Sequence, residues 1–208
     1  MLSKRKAVAS VVVFFVSLCF LGGCMNVRSS ESLKEDNVSK GQFTNKSIAV
    51  LPVKEQMSLS TDSLLSLKVA VNDNINKEIK KKLPESKIID TETSVNALNQ
   101  SGQLNLLDNL FKIYESTGVV DKKTIDTLCS ILHSEYIVFS RLKAEKMAVG
   151  FVGKGFGASL EVMIVGNANK DVVWGSSSEF KRGGMLGFGK TENKAAAEEL
   201  VKLAFEKF

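Results

Sequence analysis

The chain has 208 residues, 28 Lys and Arg against 23 Asp and Glu, a net charge of +5 and a single histidine. Lys4, Arg5 and Lys6 stand in an acid-free leading segment, so the other 25 cations nearly balance 23 carboxylates, and charge gives no support to a nucleic-acid partner. Fifteen Gly, two Pro and three Cys exclude collagen-like, low-complexity and disulfide-scaffold chains, and the length suits one hydrophobic core.

Residues 7–21 form an apolar run broken only by Ser10 and Ser17. It is shorter than the roughly 20 residues of a membrane-spanning helix, and it follows a basic patch, which is the layout of an export signal. Leu21-Gly22-Gly23-Cys24 comes next and resembles a bacterial lipobox. That resemblance implies cleavage between Gly23 and Cys24 and a covalent lipid, palmitate included, on Cys24. Several acyl chains make a firm anchor where one alone is marginal. Met25, and not Asp, follows the cysteine; by the enterobacterial sorting rule this implies the outer membrane, facing the periplasm. Cys19 leaves with the signal and Cys24 takes lipid, so Cys129 alone remains and no internal disulfide forms.

Residues 24–45 are polar, mixed in charge and aperiodic, and read as the lipidated N-terminus and a flexible tether. Residues 46–208 read as one periplasmic α/β domain. Its first strand is 47–53 (SIAVLPV), closed by Pro52. Ser60-Thr61-Asp62 offers caps to a long helix with a stripe of Leu64, Leu67, Val71, Ile75, Ile79 and Leu83, stopped by Pro84. Lys80, Lys81 and Lys82 are expected to face water at its C-terminus. A short strand at 87–90 precedes helices at 92–100, 104–116 and 122–132, the last capped by Asp121. Cys129 lies on the apolar stripe of that helix and reads as a small buried hydrophobe. Three strands follow at 135–146, 158–166 and 171–181, the last two joined by a tight turn over 167–170. A final helix over 192–208, with Thr191 as its N-cap, places Ala197, Leu200, Val201, Ala204 and Phe208 on one face. The fold class is therefore α+β: a mixed sheet with a C-terminal three-strand antiparallel meander, packed against helices in the order β-α-β-(α)n-β-β-β-α.

Three segments carry a wider resemblance: KSIAVLPV at 46–53, SEYIVFSRL at 134–142, and the run from Leu160 to Val172-Val173-Trp174. Their order resembles the superfamily of CsgG, LpoB and the N-terminal domain of TolB. The resemblance implies a non-enzymatic binding or assembly module without cofactor or metal, whose partners are the membrane and another envelope protein, with self-association left open. It also admits a regulator of a peptidoglycan synthase like LpoB, although such regulators use a longer tether. A carrier or sensor of a small apolar ligand is a third reading.

Two glycine-rich loops, 147–157 (MAVGFVGKGFG) and 183–189 (GGMLGFG), fall at the same end of the meander. They bring Phe151, Val152, Phe156, Met185, Leu186 and Phe188 together as a candidate partner contact. At 11 and 7 residues they are too short for a spanning hairpin, which needs roughly 9 to 11 residues per strand, so a channel is rejected unless the flanking strands extend well beyond the domain. Residues 184–191 fit G-x-x-x-x-G-K-T, yet their interior is bulky and apolar and no later strand supplies an acid for Mg²⁺. They are read as a loop and a helix start and not as a phosphate site. His133 has no catalytic pairing legible in the sequence, and no metal-ligand spacing is present.

Overall fold

The structure, a computed structural model, describes residues 26–35, 39–57, 61–149, 153–184 and 190–208. The expected export signal, Cys24 and the expected contact residues Phe151, Val152, Met185, Leu186 and Phe188 lie outside the described residues.

Seven strands form one mixed sheet: β1 (Asn26–Glu35), β2 (Ser47–Val50), β3 (Lys54–Met57), β4 (Lys87–Ile89), β5 (Tyr136–Val149), β6 (Gly153–Gly166) and β7 (Asp171–Gly184). Their order across the sheet is β1-β7-β6-β5-β2-β4, with β3 also on β5. Both β2 and β3 run parallel to β5, Ile48 opposite Tyr136 and Met57 opposite Ala144. They are successive stretches of one run, interrupted where Pro52 has no N–H to give to the ladder. The expected meander is present: β5, β6 and β7 pair antiparallel in sequence order.

Side chains alternate across this sheet, and each face has its own core. On one face Val138, Leu142, Leu160, Val162, Ile164 and Trp174 meet α1 (Thr61–Lys82) and α5 (Lys190–Ala204). The expected stripe is buried there: Leu67, Val71, Ile75 and Ile79 on α1, Ala197, Leu200, Val201 and Ala204 on α5. Each large aliphatic contributes about 1.5–3 kcal/mol by leaving water. Ser178, buried in β7, satisfies its hydroxyl by donating to the Leu200 carbonyl at 2.8 Å. Phe208 packs edge-on to Trp174 at 4.8 Å, and Phe205 stacks on the same indole at 5.4 Å. On the other face Ala49, Leu51, Ile137, Phe139 and Met163 meet α2 (Thr91–Gln100), α3 (Asn105–Thr117) and α4 (Lys122–Leu132). Asp90 and Asp121 cap α2 and α4, accepting from the N–H of Thr93 and Thr124.

Four expectations are corrected. Residues 26–35 are not a free tether: β1 pairs antiparallel with β7 from Asn26 opposite Arg182 to Glu35 opposite Trp174. Its polar sequence suits an edge strand lying on the Ser176-Ser177-Ser178 stretch, where the ladder and not burial supplies the cohesion. The loop of 147–157 shrinks, because β5 runs to Val149 and β6 starts at Gly153. Lys82 does not simply face water; its ammonium donates to the carbonyls of Phe205 and Phe208 at 2.9 and 3.2 Å, closing the end of the C-terminal segment. Lastly, α5 starts at Lys190, so Thr191 lies in its first turn instead of before it.

Candidate functional site

Among the described residues no group of three His, Cys, Asp or Glu could hold a metal. Cys129 is 2 % exposed, and burial pushes its thiol up to about 11, away from the thiolate a nucleophile needs. His133 ends α4 with φ 49°, its N–H donating to carbonyls of the last turn, which is a helix-terminating role.

The meander end expected to carry the apolar contact is built by register. Val149 faces Gly153 across the β5–β6 pair, Gly155 faces Gly183 across β6–β7, and Arg182 faces Asn26 across β7–β1. One end of the sheet thus collects the end of β5, the start of β6, the end of β7 and the start of β1. Helix α1 follows β3 at this end, and α5 starts beside it: Asn193 near the start of α5 donates to Ser66 near the start of α1 at 3.0 Å. Of the six residues expected here, only Phe156 falls among the described ones, and its role is corrected. It is 4 % exposed within β6 and belongs to the core with Phe180 and Ala144. Period-2 alternation turns it toward α1 and α5, which the flanking glycines had disguised as loop.

Next to this end, on the face that α2–α4 leave bare, Lys143, Glu145, Ser159, Glu179 and Lys181 line a groove of about 390 Å³. Lys181 is held by Glu179 at 2.6 Å. Arg141 and Glu161, largely buried at 2.6 Å, close the face toward α3, with the guanidinium 5.6 Å from the Tyr114 ring. Burial first, and then the Glu161 carboxylate, raise the Tyr114 hydroxyl above the usual phenol range. The groove mixes these charged groups with Ala144, Gly157 and Ala158. The sequence offered no sign of it, since its members come from three strands and the segment of β3.

No protein-family model matches the chain, and no curated protein sequence matches it. Among solved structures the fold is similar to that of the lipoprotein GNA1162 from Neisseria meningitidis, with a TM-score of 0.52 at 12 % identity over 78 % of this chain and 96 % of that one. It is also matched to the PelC dodecamer from Paraburkholderia phytofirmans, with a TM-score of 0.43, 10 % identity and coverage of 86 % and 97 %. A third match is the C-terminal domain of LpoB from Escherichia coli, with a TM-score of 0.37, 10 % identity and coverage of 71 % and 87 %. At such identities the likeness to GNA1162 is one of fold.

Proposed function

We propose that the protein is a lipid-anchored accessory or assembly factor of the bacterial envelope, without enzymatic activity, that holds another envelope protein close to the outer membrane. It belongs by this reading with the CsgG, LpoB and TolB N-terminal-domain superfamily. The observation that carries it is the Leu21-Gly22-Gly23-Cys24 box standing directly ahead of a strand built into the sheet. Only Met25 separates Cys24 from Asn26, so an acylated cysteine holds the whole domain against the bilayer. The lipoprotein GNA1162 gives the same fold a precedent. Among the described residues no helix is long and apolar enough to cross a membrane.

The regulator reading fits less well. A peptidoglycan-synthase regulator of the LpoB kind reaches its enzyme on a long tether, and here β1 takes up 10 residues of the short segment that would serve. The carrier reading, with a small apolar ligand held between the glycine-rich tips, falls on residues 150–152 and 185–189, outside the described ones. Membrane fractionation of wild type and Cys24→Ala, followed by crosslinking and capture from native membranes, tests the proposal. Wild type should sediment with the outer membrane and capture a defined envelope protein, while Cys24→Ala should do neither. Membrane retention of Cys24→Ala would refute the anchor, and capture of no partner by the anchored protein would refute the accessory role.

A further inference from the structure

We propose that the crevice beyond the carboxyl ends of β2 and β4 is a binding site for a neutral saccharide of one or two sugar rings. It uses neither Cys24 nor the meander end, so it stands or falls apart from the function proposed above.

Topology opens the crevice. Strand β2 lies between β4 and β5 and runs parallel to both. The chain leaves β2 through β3 and α1, on one face, to reach β4; it returns through α2, α3 and α4, on the other face, to reach β5. The connections out of β2 and β4 therefore part to opposite faces. Open sheets with parallel strands place ligand sites outside the carboxyl ends at such a point. Here α1 and the start of α2 enclose about 510 Å³, within the range of small-molecule sites.

Two asparagines one helical turn apart fix its shape. Asn72 accepts from the Val53 N–H at 2.9 Å, just past β2. Asn76 accepts from the Thr91 N–H at 3.3 Å and donates to the Thr91 hydroxyl at 3.1 Å, just past β4. It also donates to the Asn72 carbonyl at 3.0 Å, so the chain beyond both strands is bound to one stretch of α1. The crevice is preformed by the fold's own hydrogen bonds.

The walls select the ligand. Asp73 and Lys77 on α1 and Glu92 and Asn96 on α2 line the crevice, and their side chains have no partner among the described residues. Val69, 50 % exposed, and Val95 add aliphatic surface from the two helices. An anion is disfavoured at the start of α2. The Thr91 and Thr93 N–H groups donate to Asn76 and Asp90, the Ser94 N–H donates to the Asp90 carbonyl, and Glu92 adds negative charge. A metal cation is no better served, because Lys77 lines the same crevice and no group of three ligating side chains is present among the described residues. Carboxylate and carboxamide ends each offer two polar atoms at fixed spacing, which suits neighbouring hydroxyls of a sugar ring, while the valines suit its C–H faces.

The test is saturation-transfer NMR on the full-length protein in a detergent with a zwitterionic headgroup, with maltose and N,N′-diacetylchitobiose as probes. Signal should pass from the protein to at least one of these disaccharides at millimolar concentration. Val69→Phe on α1 and Asn96→Leu on α2, both at exposed positions, should each weaken binding at least about tenfold. Unchanged Trp174 emission verifies that each variant is folded. No transfer to either disaccharide, or binding that a folded variant leaves intact, would overturn the site. Displacement of the sugar by inorganic phosphate would overturn its neutral chemistry. Membrane retention plays no part in this readout, so failure here leaves the lipid anchor standing.

Discussion

Asn26 and Arg182 face each other across the β1–β7 ladder, 156 positions apart in the chain. This pairing ties the start of β1, two positions after Cys24, to the C-terminal end of the meander. It turns an apparent leash into a structural edge, and it fixes which end of the sheet an acylated Cys24 would hold to a membrane.

If β1 is a strand, its amides are protected. Hydrogen exchange at 28–32 should be slower than in an unstructured peptide of the same sequence, and deletion of 26–35 should expose the β7 edge and promote self-association. Exchange at random-coil rates through this stretch would return it to the status of a tether.

Phe156 separates core from contact surface. Phe156→Ala should cost about 3–5 kcal/mol and lower the melting temperature by about 10 °C in thermal denaturation. A neutral effect would place the ring outside the core.

Trp174 is the only tryptophan and is 3 % exposed, stacked on Phe205. Native emission should be blue-shifted and move to the red in one cooperative urea transition. Phe205→Ala should weaken the fold by about 3–5 kcal/mol, read from the transition midpoint.

Asp121 is held below the usual carboxylate range, first by the Thr124 hydroxyl and then by the Thr124 N–H. A depressed folded pKa gives stability that is present above the unfolded value, near 3.9, and lost as pH falls through the lower folded value. Asp121→Ala should therefore cost about 1 kcal/mol at neutral pH. In urea titrations the gap to wild type should narrow below about pH 4. A gap that widens in acid would contradict the cap.

Much of this architecture was legible because burial imprints a period. The helical stripe of Leu67, Val71, Ile75 and Ile79, the cap at Asp121 and the aliphatic strands around Ile48 and Val138 follow from local pattern alone. What escaped has a shared physical cause. In β1 and β3 hydrogen bonding to distant strands sets the conformation, and neither buries enough apolar surface to mark its own sequence. Phe156 was hidden by glycines that here sit inside a strand, and Lys82 by a partner that comes from the other end of the chain. At the candidate site the composition of the glycine-rich segments is legible, while the meeting of the ends of β5 and β7 with the starts of β6 and β1 requires the register.

The intact mass of the protein extracted from native membranes tests the lipid-anchored reading most directly. A chain beginning at Cys24 and carrying acyl groups is expected. A chain that retains residues 1–23, or one that begins at Cys24 with a free thiol, would contradict it.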